Sequence, residues 1–399
     1  VALLPDSFLI VGAKLFDGHR FLPRSCLLVI EGRIAALDVR LTPPAGVPVV
    51  EARGGTVLPG LIDAHVHVFP GTLQAALRSG VTTELDMFAD PSLVESLRQQ
   101  ASSDPSAADL RSAGIGATAP GGHPTRLVQQ GLLAPFPTVA GPEQAEAFVA
   151  ARVAEGSQFL KVILEDGTTT GHPCPTLTVD TVRALVQAAH AQGLLVVAHT
   201  LTQAHALVAV STGVDGLAHL FLDEPLSPQF LDAAVQRDVF VIPTLTSLAA
   251  RAGRSRGHAL AADPHLGPAL DPRQRAMLEM DFPGGPGALA DLNHAMSTVA
   301  QLHRVGLRLL AGTDASSPGT AHGVSLHDEL HLLVQAGLPS AAALAAATSA
   351  PAAAFGLADR GTIAPGMRAD LVLVQGDPER DITQTRNLAE VWRTGRRAT

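Results

Sequence analysis

The run Leu58-Pro59-Gly60-Leu61-Ile62-Asp63-Ala64-His65-Val66-His67-Val68 is apolar until it ends in two histidines spaced i, i+2. Alternate side chains of a β-strand share a face, so on a strand both imidazoles point the same way. Two same-facing histidines at a strand end can hold one divalent cation from one side. The weight of this pair depends on what the rest of the chain supplies. Downstream of His67, short apolar strands alternate with helical stretches. The strand candidates are residues 81–86, 114–118, 159–164, 194–199, 216–220, 239–243 and 308–314, which with the opening run make eight.

Helices are expected between them. Residues 142–155 open with Pro142 and Glu143, as a first helical turn prefers. Residues 179–192 set Val182, Leu185, Val186 and Ala189 on one stripe before Gly193 ends the helix. Residues 287–305 repeat the pattern with Leu289, Leu292, Met296, Val299 and Leu302. Strand and helix alternating eight times is the mark of an α/β fold of the (β/α)8 TIM-barrel type, here over residues 58–356. The Gly- and Pro-rich residues 253–286 read as a long loop with one short helix, a lid over the barrel mouth.

The ends of the chain differ in character from the middle. Phe8–Val11, Ser25–Ile30 and Arg33–Leu37 read as strands, with turns at Gly12, Asp17-Gly18 and Glu31-Gly32. Strands return at Gly361–Ile363, Ala369–Val374 and Val391–Arg393. Residues 1–57 and 357–399 are therefore expected to meet in one small composite β-sandwich beside the barrel.

Composition bounds the function. Of the 399 residues, 46% are hydrophobic and only 16% charged, which suits a large buried core. A net charge of −9 argues against nucleic acid as a partner. The densest basic stretch, Arg251-Ala252-Gly253-Arg254-Ser255-Arg256, reads as a solvated loop. No apolar run approaches the roughly 20 residues that cross a bilayer, so no membrane partner is expected. Two cysteines, Cys26 and Cys174, make no disulfide framework and fit a reducing, cytoplasmic setting, with a removed signal peptide left open because the chain starts at Val1. A small-molecule substrate is the expected partner, and a homo-oligomer is left open.

Polar residues fall at the strand ends. His65 and His67 end the first, Lys161 lies in the fourth, His199 ends the fifth, His219 lies in the sixth and Asp314 ends the eighth. The C-terminal rim of such a barrel carries the active site, and several imidazoles with a carboxylate make a transition-metal site by ligand type. Lys161 is the odd member, since an ammonium beside a dication is costly. If its amine captures carbon dioxide it becomes a carbamate, an anion with two oxygens able to bridge two metals.

Residues 58–67, Phe159-Leu160-Lys161-Val162, Val197-Ala198-His199-Thr200, Leu217-Ala218-His219-Leu220, Ala311-Gly312-Thr313-Asp314-Ala315 and residues 364–372 together resemble the amidohydrolase superfamily. Within it the chain is most similar to the prolidase-like, imidazolonepropionase-related branch with a carboxylated lysine. The resemblance spans nearly the whole chain with the motifs in order. It implies two divalent metal ions, zinc first among them. His65, His67 and Asp314 would hold one and His199 and His219 the other, with a CO2-derived carbamate on Lys161 and a hydroxide bridging them. It further implies hydrolysis of an amide-type C–N bond, as in a dipeptide, N-acyl amino acid or aryl amide. The bridging hydroxide would attack the carbonyl, and Asp314 would pass its proton to the leaving amine. His123, in Pro120-Gly121-Gly122-His123-Pro124, matches a Gly-Gly-His that relatives place near the substrate or the oxyanion. His172 is expected to line the pocket and His322 to close the mouth, whereas His190, His205, His294, His303, His327 and His331 read as structural or solvent-facing.

The chain also departs from the branch. It has no tyrosine, and no obvious arginine ready to grip a substrate carboxylate stands in the vicinity after the fourth strand, where Leu177 and Thr178 lie. That shifts the expected substrate away from a dipeptide with a free C-terminus, toward a more apolar amide, carbamate, lactam or ester. Carbamate, ester or lactone hydrolysis on the same site is the alternative. A mononuclear deaminase would want a glutamate soon after His199, where Thr200-Leu201-Thr202-Gln203 stands. A non-catalytic scaffold would show lost ligands, and none is missing.

Overall fold

The computed structural model describes residues 5–169, 171–283, 285 and 289–398. Three parallel strands, Leu61–Val66, Val81–Asp86 and Asp109–Ser112, pair in chain order. Leu160–Leu164, Val196–Thr200, Gly216–Ala218 and Phe240–Ile242 form a second parallel set. Backbone bridges join the sets into a ring. The Ala117 N–H donates to the Lys161 carbonyl (2.8 Å), and the Leu310 N–H to the Val241 carbonyl (2.9 Å). The Ala64 N–H donates to the Ala311 carbonyl (2.9 Å), which closes the eighth stretch onto the first. The expected TIM barrel is therefore the fold.

Except for the third, where Asp109 and Arg111 are half-buried, its strands are buried along their length, as parallel strands covered by helices must be. Inside, Ile62, Leu85, Phe159, Val197, Phe240 and Leu310 pack as one cluster with Phe355. Phe355 meets Phe159 edge to face with centroids 5.0 Å apart. This aromatic plug fills one end of the lumen and leaves the carboxyl ends of the strands for polar groups. Removing a buried phenylalanine of this kind costs roughly 3–5 kcal/mol.

Several local expectations need correction. The third strand begins at Asp109, not residue 114; the alternating charge of Asp109-Leu110-Arg111-Ser112 hides it, and Gly114 (φ +64°) then kinks the chain before the Ala117 bridge. Gly12 is no turn: the strand Phe8–Phe16 runs through it with a register shift between Ile10 and Ala13, a bulge that its φ of +70° permits. Gly361–Ile363 forms no strand, although Ile363 is buried. The helix expected from residue 287 begins at Leu292, where the Asp291 carboxylate accepts the Asn293 N–H. Residues 287 and 288 lie outside the described ones, and Leu289 is exposed. The expected lid is more ordered than a loop, with helices Gly257–Ala261 and Pro272–Leu278, the second closed by an Asp271–Gln274 capping box. Leu260, Leu266 and Leu278 fasten it to Ala321 and Val324.

The two chain ends do meet. One sheet runs through strands Arg396–Arg397, Leu388–Arg393, Leu371–Val374, Thr56–Pro59, Phe8–Phe16, Phe21–Ile30 and Arg33–Asp38, with Val49–Glu51 beside Phe8–Phe16. It folds back on itself, since the Ile34 N–H donates to the Met367 carbonyl (2.9 Å). Phe8, Ile10, Leu27, Val57, Leu371 and Trp392 fill its interior. No helix among the described residues is long and apolar enough to cross a membrane.

Candidate functional site

A bulge aims the histidine pair. Asp63 lies opposite Glu84 and Val66 opposite Asp86, so three steps on the first strand match two on its neighbour. Ala64 packs with Leu85 in the lumen, whereas Val66 packs in the layer between strands and helices. The extra residue turns His65, and with it His67, toward the lumen. Asp63 faces the other way and its carboxylate accepts the N–H (3.0 Å) and hydroxyl (2.7 Å) of Thr313, locking the eighth stretch to the first.

Left-handed backbone conformations set three more groups. His219, Thr244 and Asp314 have φ of 70°, 51° and 57° at the ends of the last three barrel strands. Non-glycine residues reach this region at a cost of about 1–2 kcal/mol, and such strain gathers at functional sites. At His219 it breaks the strand alternation, so that the imidazole joins the lumen side already taken by Ala218. The Thr244 hydroxyl meets His219 Nδ1 at 2.7 Å and fixes the ring.

His65, His67 and Asp314 place one ligand atom each within 4.8 Å of one another. Asp314 Oδ1 is 3.5 Å from His65 Nε2 and 3.2 Å from His67 Nε2. Its Oδ2 accepts the Ser247 (2.7 Å) and Ser317 (2.9 Å) hydroxyls, so the carboxylate is held at both oxygens. The His219 ring lies 4.7 Å from His65 and 4.6 Å from His199, and His123 stacks on His199 at 5.2 Å. Lys161 is buried on the neighbouring strand. The structure thus gathers His65, His67, Asp314, His199, His219 and His123 around one end of the barrel, with Lys161 close enough to perturb His65, His199 and His219.

Burial and the surrounding cations keep three of these imidazoles neutral: His65 and His219 are held well below the usual histidine range, and His123 is pushed down to about 3. Neutral imidazole is the form that binds metal. Burial also lowers the Lys161 amine to about 7, against the pull of Asp314 and Asp86. Burial pushes the Asp314 carboxyl up, but the hydrogen bond from His67 and the charges of its neighbours outweigh it and hold it well below the carboxylate range.

The residues fit a metal. Lys161 Nζ is buried beside these imidazoles without a hydrogen-bond partner among the described residues. Partnerless buried polar atoms are costly. A cation held by imidazoles and carboxylate, with a carbamate in place of the ammonium, would relieve the charge conflict at this cluster.

One expected site residue lies elsewhere. His322 does not close the mouth. It is buried behind the first two strands, with Nδ1 2.6 Å from Glu84 Oε1 and Nε2 3.1 Å from the His67 carbonyl. His172 is exposed, in a loop where its N–H donates to the Gly167 carbonyl (3.1 Å). Two residues in the site had not been singled out for it. Glu165, four places after Lys161, is buried with Oε2 3.6 Å from His199 Nε2. Arg251 does not belong to a solvated loop: it ends helix Leu245–Arg251, with only 14% of its side chain exposed and a guanidinium nitrogen 3.8 Å from Asp314 Oδ2. A buried acid at a strand end was the available signal for the first. The second carried none.

A model of the amidohydrolase family matches residues 56–398. The chain is 29% identical over 394 residues to an imidazolonepropionase from Deinococcus deserti, covering 94% of this chain and 92% of that protein. Its fold is similar to that of a Xaa-Pro dipeptidase crystallised with methionine in the active site, at a TM-score of 0.79 and 22% identity over 98% of this chain and 99% of that one. It is also similar to molinate hydrolase, at a TM-score of 0.75 and 20% identity, covering 98% and 94% of the two chains.

Proposed function

Because the chain belongs to the amidohydrolase family, we propose that it is a metal-dependent hydrolase that cleaves an amide-type C–N bond in a small molecule. The observation that carries this reading is the convergence of His65, His67 and Asp314 beside the buried, partnerless Lys161. His65, His67 and Asp314 would hold one divalent ion, zinc by ligand type, and His199 and His219 a second, with carboxylated Lys161 shared between them. Ions bound there would polarise the scissile carbonyl and acidify the attacking water.

The chain's own residues supply the remainder. Asp314 is the general base: held ionised, it takes the proton of the attacking water and returns it to the leaving nitrogen. Ser247 and Ser317 hold Oδ2, so the carboxylate cannot rotate while the proton moves. His123, kept neutral, donates a ring N–H to the developing oxyanion. Dipeptides, N-acyl amino acids and aryl amides are the substrates in view, with carbamates, esters and lactones as the alternative on the same residues.

The test is a mass-spectrometric hydrolysis screen of zinc-loaded protein across these classes, with and without chelator. Chelator-sensitive cleavage of one class is expected, with two metal equivalents bound. Protein that binds no metal and turns over no member of the panel would sink the reading.

A further inference from the structure

Arg251 carries a charge that no hydrogen bond among the described residues satisfies. Its side chain is only 14% exposed, yet among the described residues its guanidinium makes no hydrogen bond, and Nε is fully shielded. The carboxylate it faces, Asp314 Oδ2, is 3.8 Å away and already takes the Ser247 and Ser317 hydroxyls at 2.7 and 2.9 Å. A contact of that length is an ion pair at most and leaves the N–H fork unspent. The other arginines of the same stretch are spent: Arg254 donates to Asn293 (3.2 Å) and Arg256 to Asp328 (2.9 Å).

The fork is also held in place. Phe282 lies under it, 4.5 Å from ring centroid to guanidinium carbon, an arrangement that fixes the plane while leaving the N–H edge open. At the other end of the short helix, the Glu329 carboxylate accepts the Leu245 and Thr246 N–H groups at 2.9 and 2.8 Å. The same segment carries Thr244, which holds His219, and Ser247, which holds Asp314. Arg251 therefore stands at the edge of the candidate site on an element registered to two of its members. A buried guanidinium without hydrogen bonds is costly, and the ligand that relieves it is planar and anionic with two acceptor oxygens, a carboxylate.

We propose that Arg251, backed by Phe282, is the specificity residue that binds a free carboxylate on the substrate, so that the site prefers acids such as N-acyl amino acids over their neutral amides. The inference rests on the hydrolase reading for the reaction but not for the binding. It puts the carboxylate-binding group on the helix after the seventh strand.

The probes are benzoylglycine and its carboxamide, which differ only in the charged group. Equilibrium binding of both is measured by calorimetry on the protein as purified and after zinc loading, together with KM and kcat for any member of the pair that is cleaved. The wild type is expected to bind the acid at least about tenfold more tightly than the amide, the scale of a charge-assisted contact. R251M should bring the two together by weakening only the acid. R251K keeps the charge without the fork and should retain part of the preference, and it decides the matter if R251M does not fold. Equal binding of acid and amide by the wild type, or a full preference surviving in R251M or in R251K, would overturn the proposal. Chelator-sensitive hydrolysis of neutral amides alongside equal binding would leave the hydrolase reading intact and remove this one. A carboxylate preference lost in R251M, in a protein that hydrolyses nothing, would do the reverse.

Discussion

His322 and Glu84 form a buried ion pair across the wall of the barrel, with Nδ1 2.6 Å from Oε1, while the other ring nitrogen meets the His67 carbonyl at 3.1 Å. The pair thereby ties the backbone of a candidate metal ligand to the second strand and to the chain after the eighth. Burial would lower the His322 pKa, but the Glu84 charge and hydrogen bond outweigh it and raise it. A raised histidine contributes stability that is complete below the unfolded value of about 6.5 and is lost as pH climbs through the folded one. Glu84→Gln should therefore destabilise the fold by roughly 3–5 kcal/mol, as expected when one partner of a buried pair is removed. Urea titrations between pH 6 and 9 check it: the wild type should lose stability with rising pH more steeply than the variant. Parallel curves would mean that the pair carries no charge.

Lys161 offers a direct test of the carbamate. Only the neutral amine captures carbon dioxide, and burial brings this amine to about 7, so the reactive form is abundant at neutral pH. With 13C-labelled bicarbonate, a carbamate resonance should grow as pH rises through about 7 and should be absent in Lys161→Met. Lys161→Met should also lose most activity and one metal equivalent. Two metals and full activity in that variant would remove the bridging role.

The barrel was legible because buried parallel strands are apolar runs, and here the polar interruptions fall at their ends. His65, His67, His199, His219 and Asp314 could be named on that ground and on the family resemblance. What escaped was geometry that neighbours decide. Asp109-Leu110-Arg111-Ser112 lacks an apolar run because Asp109 serves Arg360, and Gly12 permits a bulge as readily as a turn. The place of His322 is not legible in the sequence because its partner lies 238 residues away. In sequence Arg251 looks like its two neighbours, and only the fold separates the arginines that are hydrogen-bonded from the one that, among the described residues, is not.

The proposed hydrolase chemistry makes Glu165 a positioning residue for His199. Its Oε1 accepts the Gly167 N–H at 2.6 Å, which presents Oε2 to His199 Nε2 at 3.6 Å. A carboxylate behind a metal-binding histidine fixes the tautomer and raises ligand basicity, and its loss costs about 10–100-fold in affinity. Glu165→Gln should weaken one of the two proposed metal sites by that factor and leave the other unchanged in a zinc titration with a competing chelator. Equal weakening at both sites, or none, would contradict the assignment.

Gly312 tests how tightly the eighth stretch must approach the first. A Cβ built there would stand 2.6 Å from Ile242 Cγ2 and 2.9 Å from both the Cβ and backbone nitrogen of His65. None of these is the far end of a flexible side chain, so the strand itself would have to move. Overpacking of this kind costs roughly 1–3 kcal/mol. The displacement falls between two groups whose ligand atoms, with that of His67, lie within 4.8 Å of one another. Gly312→Ala should therefore lose zinc affinity out of proportion to its stability. Calorimetric unfolding set against zinc titration at a temperature where the variant is fully folded separates the two. Unaltered zinc binding in a destabilised variant would show that His65 reaches its position without help from the eighth strand.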